Sequence, residues 1–255
     1  MMSPRVVVIT GSSSGIGQCM AEAFARLGDQ VLVHGFRNIA GLSDTASRVV
    51  QAGGQVRCMV ADVSNSESAV RLVQAAFAWH QHVDVWINAA GADVLTSSLS
   101  QLSFEAKLER LWQTDVMGTI RISRAVAARM KCQDSQSSIP SILNLSWDQA
   151  EFGMEGESGQ FFSSTKAAIA AFSKSLAKSV GPHVRVNCIA PGWIQTAWGS
   201  SASAGWDQRA RGESMLDRWG KPSDIANAAI MLASAECEFI NGQTIAVNGG
   251  WQPSC

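Results

Sequence analysis

The stretch Val6-Val-Val-Ile-Thr-Gly-Ser-Ser-Ser-Gly-Ile-Gly17 leaves the rest of the chain little freedom. Val6 to Ile9 are apolar and mostly β-branched, the composition of a strand buried on both faces of a parallel sheet. Thr10 ends the strand, and Gly11, Gly15 and Gly17 follow. Met20, Ala23, Phe24 and Leu27 then fall on one helical face. Strand, glycine turn and helix in this order aim free amide N–H groups and a positive helix end at one point, where a phosphate can sit. One glycine permits the tight turn, one lets the backbone approach the ligand, and one lets helix and strand pack closely. The stretch predicts a dinucleotide site.

Downstream, apolar strand-like runs alternate with helical patterns. Strands are predicted at 30–35, 55–61, 84–91, 139–145, 184–190 and 244–247, with helices at about 40–52, 64–81, 103–130, 163–180 and 223–233. Ser64 or Ser66 caps the second of these helices, Ser223 the last, and a glycine-broken loop precedes residue 163. This alternation predicts an α/β fold, a doubly wound parallel sheet of about seven strands in a single domain over residues 1–255. From Trp193 to about Met215 the periodicity dissolves into Ser, Ala, Gly and Trp. Trp193, Trp198 and Trp206 need a surface to cover, so 193–215 reads as a substrate lid. No acidic residue ends the second strand, and Arg37 stands in the loop where an adenosine ribose would fall. That favours NADP(H) over NAD(H).

Composition narrows the partners. The net charge is −1 with no run of Lys or Arg, so there is no footprint for nucleic acid or an anionic membrane. No apolar run reaches about 18 residues, and the start of the chain lacks a signal-peptide layout. Six Cys without C-x-x-C spacing read as free thiols of a cytoplasmic protein. Hydrophobic residues at 46% against 16% charged suggest surface buried between subunits of a homo-oligomer, a dimer or tetramer. Nine Trp and nine Phe accompany no Tyr at all.

Thr10-Gly-x-x-x-Gly-Ile-Gly17, Asp62-Val63, Asn88-Ala-Ala-Gly91, Lys166, Asn187, Pro191-Gly192 with Thr196, Gly220-Lys-Pro-Ser-Asp-Ile-Ala226 and Val247-Asn-Gly-Gly250 occur in the order of a known family. From about Arg5 to Trp251 the chain resembles the short-chain dehydrogenases/reductases, most of all the branch containing 3-oxoacyl-carrier-protein reductases. The resemblance implies a Rossmann fold, a nicotinamide dinucleotide, a small-molecule substrate and often a tetramer. It implies that Gly11, Ser13, Ser14, Gly15, Ile16 and Gly17 cradle the pyrophosphate, that Asp62 and Val63 flank the adenine, and that Asn88, Ala89, Ala90 and Gly91 line the ribose path. Lys166 would hold the nicotinamide ribose, with Pro191, Gly192, Trp193 and Thr196 around the carboxamide.

The family's chemistry is not matched. Its acid/base Tyr lies four residues before the Lys, where this chain has Phe162. Its carbonyl-orienting Ser aligns with Trp147; Ser146 lies one residue early and would face the opposite way on a strand. Counted back from Phe162, the same position falls nearer Asp148 or Gln149. The family's Asn is Asp115. With no Tyr in the chain, two functions stand open. One is an NADP(H) oxidoreductase on a small, largely apolar carbonyl, imine or enoyl compound with a relocated acid, for which Asp148, Asp115 and Glu151 are candidates. The other is an NADP(H)-binding sensor or partner subunit without turnover.

Overall fold

The computed structural model describes residues 4–250 except 97, 134–137 and 201, and omits the side chain of Trp198. The expected doubly wound sheet is present. The strands are β1 (Val6–Thr10), β2 (Gln30–Gly35), β3 (Val56–Val60), β4 (Val85–Asn88), β5 (Ser141–Leu145), β6 (Arg185–Pro191) and β7 (Thr244–Val247). All pair in parallel in the order β3-β2-β1-β4-β5-β6-β7. The order reverses direction beside β1, so the carboxyl end of β1 opens into a crevice where ligands of such sheets bind.

The pleat explains the two layers. Val6 and Val8 point to one face of the sheet and Val7 and Ile9 to the other, and all four are fully buried. On the first face lie α3 (Ser66–His80), α5 (Gly118–Met130) and α6 (Gly156–Val180), which bring Leu72, Phe77, Ile122, Val126, Leu176 and Val180. On the second lie α1 (Gly15–Arg26), α2 (Ile39–Gln51) and α9 (Pro222–Leu232), which bring Met20, Phe24, Leu42, Val49, Ile225 and Leu232. Two apolar faces explain why the strands read as continuous hydrophobic runs instead of alternating ones.

Several expected boundaries move. The predicted helix over 103–130 is α4 (Phe104–Leu111), a π-helical stretch Trp112–Met117, and α5. α6 begins at Gly156 and not at 163, because Gly159 is a helical residue: a Cβ there would lie 2.0 Å from the Met154 carbonyl oxygen. The glycine marks a close approach, not a loop. The aperiodic 193–215 region holds α7 (Ala197–Ser200) and α8 (Ala204–Gly212). Asn65, not Ser64 or Ser66, caps α3, accepting from Ser68 N–H at 2.9 Å. α9 starts with Pro222, and Asp224 accepts from Lys221 N–H at 2.7 Å, so Ser223 is not its cap.

A chain of polar side chains runs through the first layer. Trp86 Nε1 donates to Asn88 Oδ1 at 2.9 Å, and Asn88 Nδ2 donates to Asn144 Oδ1 at 2.8 Å and to Ser123 Oγ at 2.9 Å. Asn144 Nδ2 donates in turn to Ser173 Oγ at 2.8 Å. Asn88 and Asn144 are direct neighbours in the β4–β5 register, so a slip of either strand would break the chain and leave buried amides unpaired. Cys19, Cys58, Cys132, Cys188 and Cys237 are free; Cys255 and Trp251 lie outside the described residues. Among the described residues no helix is long and apolar enough to cross a membrane, and no cluster of His, Cys, Asp or Glu is arranged to hold a metal.

Candidate active site

A cavity of about 700 Å³ opens at the carboxyl ends of β1, β2 and β4. Its floor is the glycine turn. Gly11 has φ +67°, and a Cβ on it would lie 2.5 Å from Ala90 Cα; a Cβ on Gly17 would lie 2.4 Å from the Gly11 carbonyl oxygen. Both positions are closed to any side chain by backbone. Ser14 precedes α1 without capping it through its side chain, so the first amides of that helix stay available to an anion. Thr10 Oγ1 fixes the facing turn by accepting from Ala89 N–H at 3.1 Å and Ala90 N–H at 3.2 Å. Gly11, Ser13, Ser14, Gly15, Ile16, Gly17, Arg37, Asp62, Val63, Ala89, Ala90, Gly91, Phe162 and Thr196 all line this space. An uncapped helix start over a floor that only glycine permits fits a dinucleotide pyrophosphate.

Some expected residues are elsewhere. The Asn88 side chain is turned into the polar chain under the floor, and only the rest of its turn faces the cavity. Pro191 ends β6 and Gly192 and Trp193 follow it; all three are outside the lining, with Gly192 N–H donating to Val247 O at 3.1 Å. Asp62 lines the cavity but also caps its own turn, accepting from Ser64 N–H at 2.9 Å. Arg37 is exposed and stacks on Phe36, its guanidinium carbon 5.4 Å from the ring centre.

His34 was missed in the sequence. It lines the cavity behind the turn, where Nδ1 accepts from Gly11 N–H at 3.2 Å and Nε2 is 3.0 Å from the Ala61 carbonyl oxygen. A carbonyl only accepts, so the proton resides on Nε2. Burial pushes its pKa down to about 4, which keeps the ring neutral and the Gly11 amide held. The clue available was a lone histidine in the apolar run Val31–Gly35, a weak one.

Over the cradle, α6, the π-helical stretch and the end of β5 bring Phe162, Thr114 and Leu145 to the cavity; Lys166, Asp115, Ser146 and Trp147, expected in the site, do not line it. Lys166 Nζ donates to Asp115 Oδ2 at 2.8 Å, and the two side chains are 17% and 3% exposed. Asp115 Oδ1 accepts from Ala92 N–H at 2.8 Å, which ties this ion pair to the β4 turn. Phe162 meets Trp147 edge-on with ring centres 6.3 Å apart and Phe161 at 4.9 Å. Ser146 Oγ donates to the Lys166 carbonyl oxygen at 2.8 Å, so it is spent on the backbone of α6. Glu151 is exposed and pairs with Lys174 at 3.8 Å.

Asp148 is the unusual carboxyl. It is only 8% exposed, its Oδ2 accepts from Asn248 Nδ2 at 3.0 Å, and its Oδ1 is sealed from solvent without a side-chain donor. Burial raises its pKa from 3.8 to about 6, helped by the Glu213 carboxylate and opposed by Asn248 and the neighbouring amides. It does not line the large cavity; it lies behind Gly192, where a Cβ would be 3.2 Å from Oδ2. A carboxyl whose folded pKa is raised contributes full stability at low pH and loses it as pH climbs through the folded value. Asp148→Asn is therefore expected to gain on the wild type by about 3 kcal/mol between about pH 4 and about pH 6, measured by urea unfolding across that range. A constant difference between the two proteins would exclude the raised pKa.

Around Trp193 the 193–215 segment is clamped. Trp193 Nε1 donates to Glu213 Oε2 at 2.7 Å, and its ring lies 5.4 Å from Trp206 and 6.4 Å from Trp219. Arg209 stacks over Trp193 and Trp206 and pairs with Glu213 at 2.7 Å and with Glu155 at the start of α6. The segment is thereby fastened to the helix that carries Phe162 and Lys166. The side chain of Trp198, expected to take part, lies outside the described residues.

This sheet order, with a glycine turn at the switch point and a lysine on the helix after β5, defines a doubly wound protein of the Rossmann type. The comparisons agree. Residues 11–252 match the family model described as enoyl-(acyl carrier protein) reductase. The chain is 33% identical over 248 residues to the 3-oxoacyl-(acyl-carrier-protein) reductase FabG of Chlamydia trachomatis, covering 96% of each protein. It is 29% identical to tropinone reductase-like 3 of Erythroxylum coca, covering 96% of this chain and 92% of that one. A short-chain dehydrogenase/reductase from Burkholderia xenovorans superposes with a TM-score of 0.84 at 29% identity, over 98% of this chain and 99% of that one. The chain belongs to the short-chain dehydrogenase/reductase family of oxidoreductases.

Proposed function

We propose that the protein is an NADP(H)-dependent oxidoreductase acting on a small, largely apolar carbonyl, imine or enoyl compound, with its proton supplied otherwise than by a tyrosine. The observation that carries this reading is the cradle, whose uncapped helix start and backbone-closed glycines open onto the same space as Phe162. Reduced nicotinamide bound there would supply a hydride. Lys166, held by Asp115, would take the ribose hydroxyls, and Arg37 a 2′-phosphate. Asp115 has both oxygens engaged as acceptors, which suits a holder of Lys166 better than an acid. Asp148 lies outside the cavity behind Gly192, which leaves it no direct path to a substrate there, and a substrate entering as an iminium would need no acid at all.

The Phe162–Trp147 contact favours a second reading, a cofactor-bound sensor without turnover, because neither ring has a proton acidic enough to transfer to a developing alkoxide. The 193–215 segment would act as lid in either case. Exposed Phe239 and Met231 support assembly into a dimer or tetramer.

Titration of tryptophan emission with NADPH and, separately, NADH tests the cofactor. NADPH should bind more tightly, and Arg37→Ser should weaken NADPH by roughly tenfold or more while leaving NADH unchanged. Equal binding of both in the wild type would remove Arg37 from the site, and binding of neither would end the proposal.

A further inference from the structure

Among the described residues, two polar groups in the cavity, Arg110 Nε and Thr114 Oγ1, have no hydrogen-bond partner. Arg110, near the end of α4, lines the space, yet among the described residues it makes no ion pair, hydrogen bond or ring contact, and its Nε is sealed from solvent. Thr114, about one helical turn further on, lines the same space, and its Oγ1 is likewise sealed and unpartnered. Desolvated donors without acceptors weaken a fold, so their presence needs a ligand to account for it. Asp93, which lines the same space, is spoken for: it accepts from Leu95 N–H at 3.0 Å, Thr96 N–H at 2.9 Å and the Thr96 hydroxyl.

Their place in the fold separates them from the nucleotide phosphates. Arg37 follows β2, on one side of β1; Arg110 and Thr114 follow β4, on the other side. The neighbour of Arg110, Leu111, packs in one apolar cluster with Phe161 and Phe162 of α6. Arg110 thus belongs to the half of the cavity that holds Phe162, the proposed substrate half.

We infer that the substrate carries a carboxylate, bound by the Arg110 guanidinium and the Thr114 hydroxyl while its apolar body lies against Phe162. One planar fork and one hydroxyl match the two oxygens of a carboxylate, whereas a phosphate dianion would leave charge uncompensated. This assignment rests on reading the cavity as a reductase chamber and adds to it the far end of the substrate.

The test is binding, not turnover. Wild type, Arg110→Gln, Arg110→Lys and Thr114→Val, each with saturating NADP+ and without it, are titrated with straight-chain 4-oxo acids and their methyl esters by calorimetry. Wild type should hold the acid roughly tenfold or more above its ester. Arg110→Gln should bring acid and ester to parity, Thr114→Val should narrow the gap, and Arg110→Lys should keep part of it. Arg110 has no partner among the described residues, so Arg110→Gln should melt no lower than wild type. Acid and ester binding alike in the wild type, or no saturable binding of any acid, would overturn the inference. So would an Arg110→Gln that loosens NADPH and NADH equally, which would make Arg110 a cofactor residue. Failure of NADPH to bind while acid and ester remain distinguished would instead strike the cofactor reading and leave this one standing.

Discussion

Replacing Phe162 by Tyr and Trp147 by Ser is expected to raise reduction of a 3-oxoacyl thioester by about 10²-fold, and adding Asp115→Asn should extend the gain towards about 10⁴-fold. Phe162 lines the cavity four residues before Lys166, so a phenol there would present its hydroxyl to the space above the cradle. Trp147 meets that ring edge-on and would yield its position to the smaller serine. The first gain is the smaller because Lys166 is already neutralised by Asp115 at 2.8 Å, so its charge would do little to acidify the new phenol. Restoring an uncharged partner at 115 releases that field. The measurement is NADPH oxidation at fixed thioester across the variant series. If the triple variant binds NADPH yet reduces no faster than wild type, Phe162 does not stand where the acid is needed.

The second large effect concerns stability. Asp115→Ala should cost about 3 kcal/mol, because it strands the Lys166 ammonium, 17% exposed, without its counter-charge and also orphans the Ala92 amide. In a chain of this size that is a fall of roughly 6–12 °C in Tm. Asp115→Asn should cost clearly less, since its amide oxygen can still accept from Ala92 N–H. Calorimetric melting of both variants decides it. An Asp115→Ala that melts with the wild type would mean the ion pair adds nothing net.

The strands were legible in the sequence because a parallel sheet buried on both faces demands unbroken β-branched runs, and Val6–Ile9 and Val31–Val33 supply them. The cradle was legible because backbone contact at Gly11 and Gly17 excludes every side chain, a constraint written directly as glycine. The same residue misled at Gly159, where the close approach occurs inside a helix. α7 and α8 were illegible because they are short, and α8 is held by Trp193, Arg209 and Glu213 instead of by an apolar stripe. Arg110 and Thr114 escaped notice because α4 reads as an ordinary amphipathic helix, and an unpartnered donor is visible only when its surroundings are known. Asn88 was expected in the ribose path because its motif was matched as a block; its amide instead serves the strand beneath.

That buried chain from Trp86 through Asn88 and Asn144 to Ser173 grips the β4 turn from below and touches neither Phe162 nor Trp147. The chain ends on Ser173 of α6, the helix that carries Phe162, so the glycine floor and the Phe162 wall are braced on one buried frame while the two rings themselves make none of its hydrogen bonds. A wall can be swapped, as from phenol and hydroxyl to two apolar rings, while the floor keeps its shape. The architecture behaves like a socket with interchangeable tooling, and grafting a different wall onto this cradle should require rebuilding the outward faces of α4, α6 and the end of β5 while keeping Ser173 and the Asp115–Ala92 link.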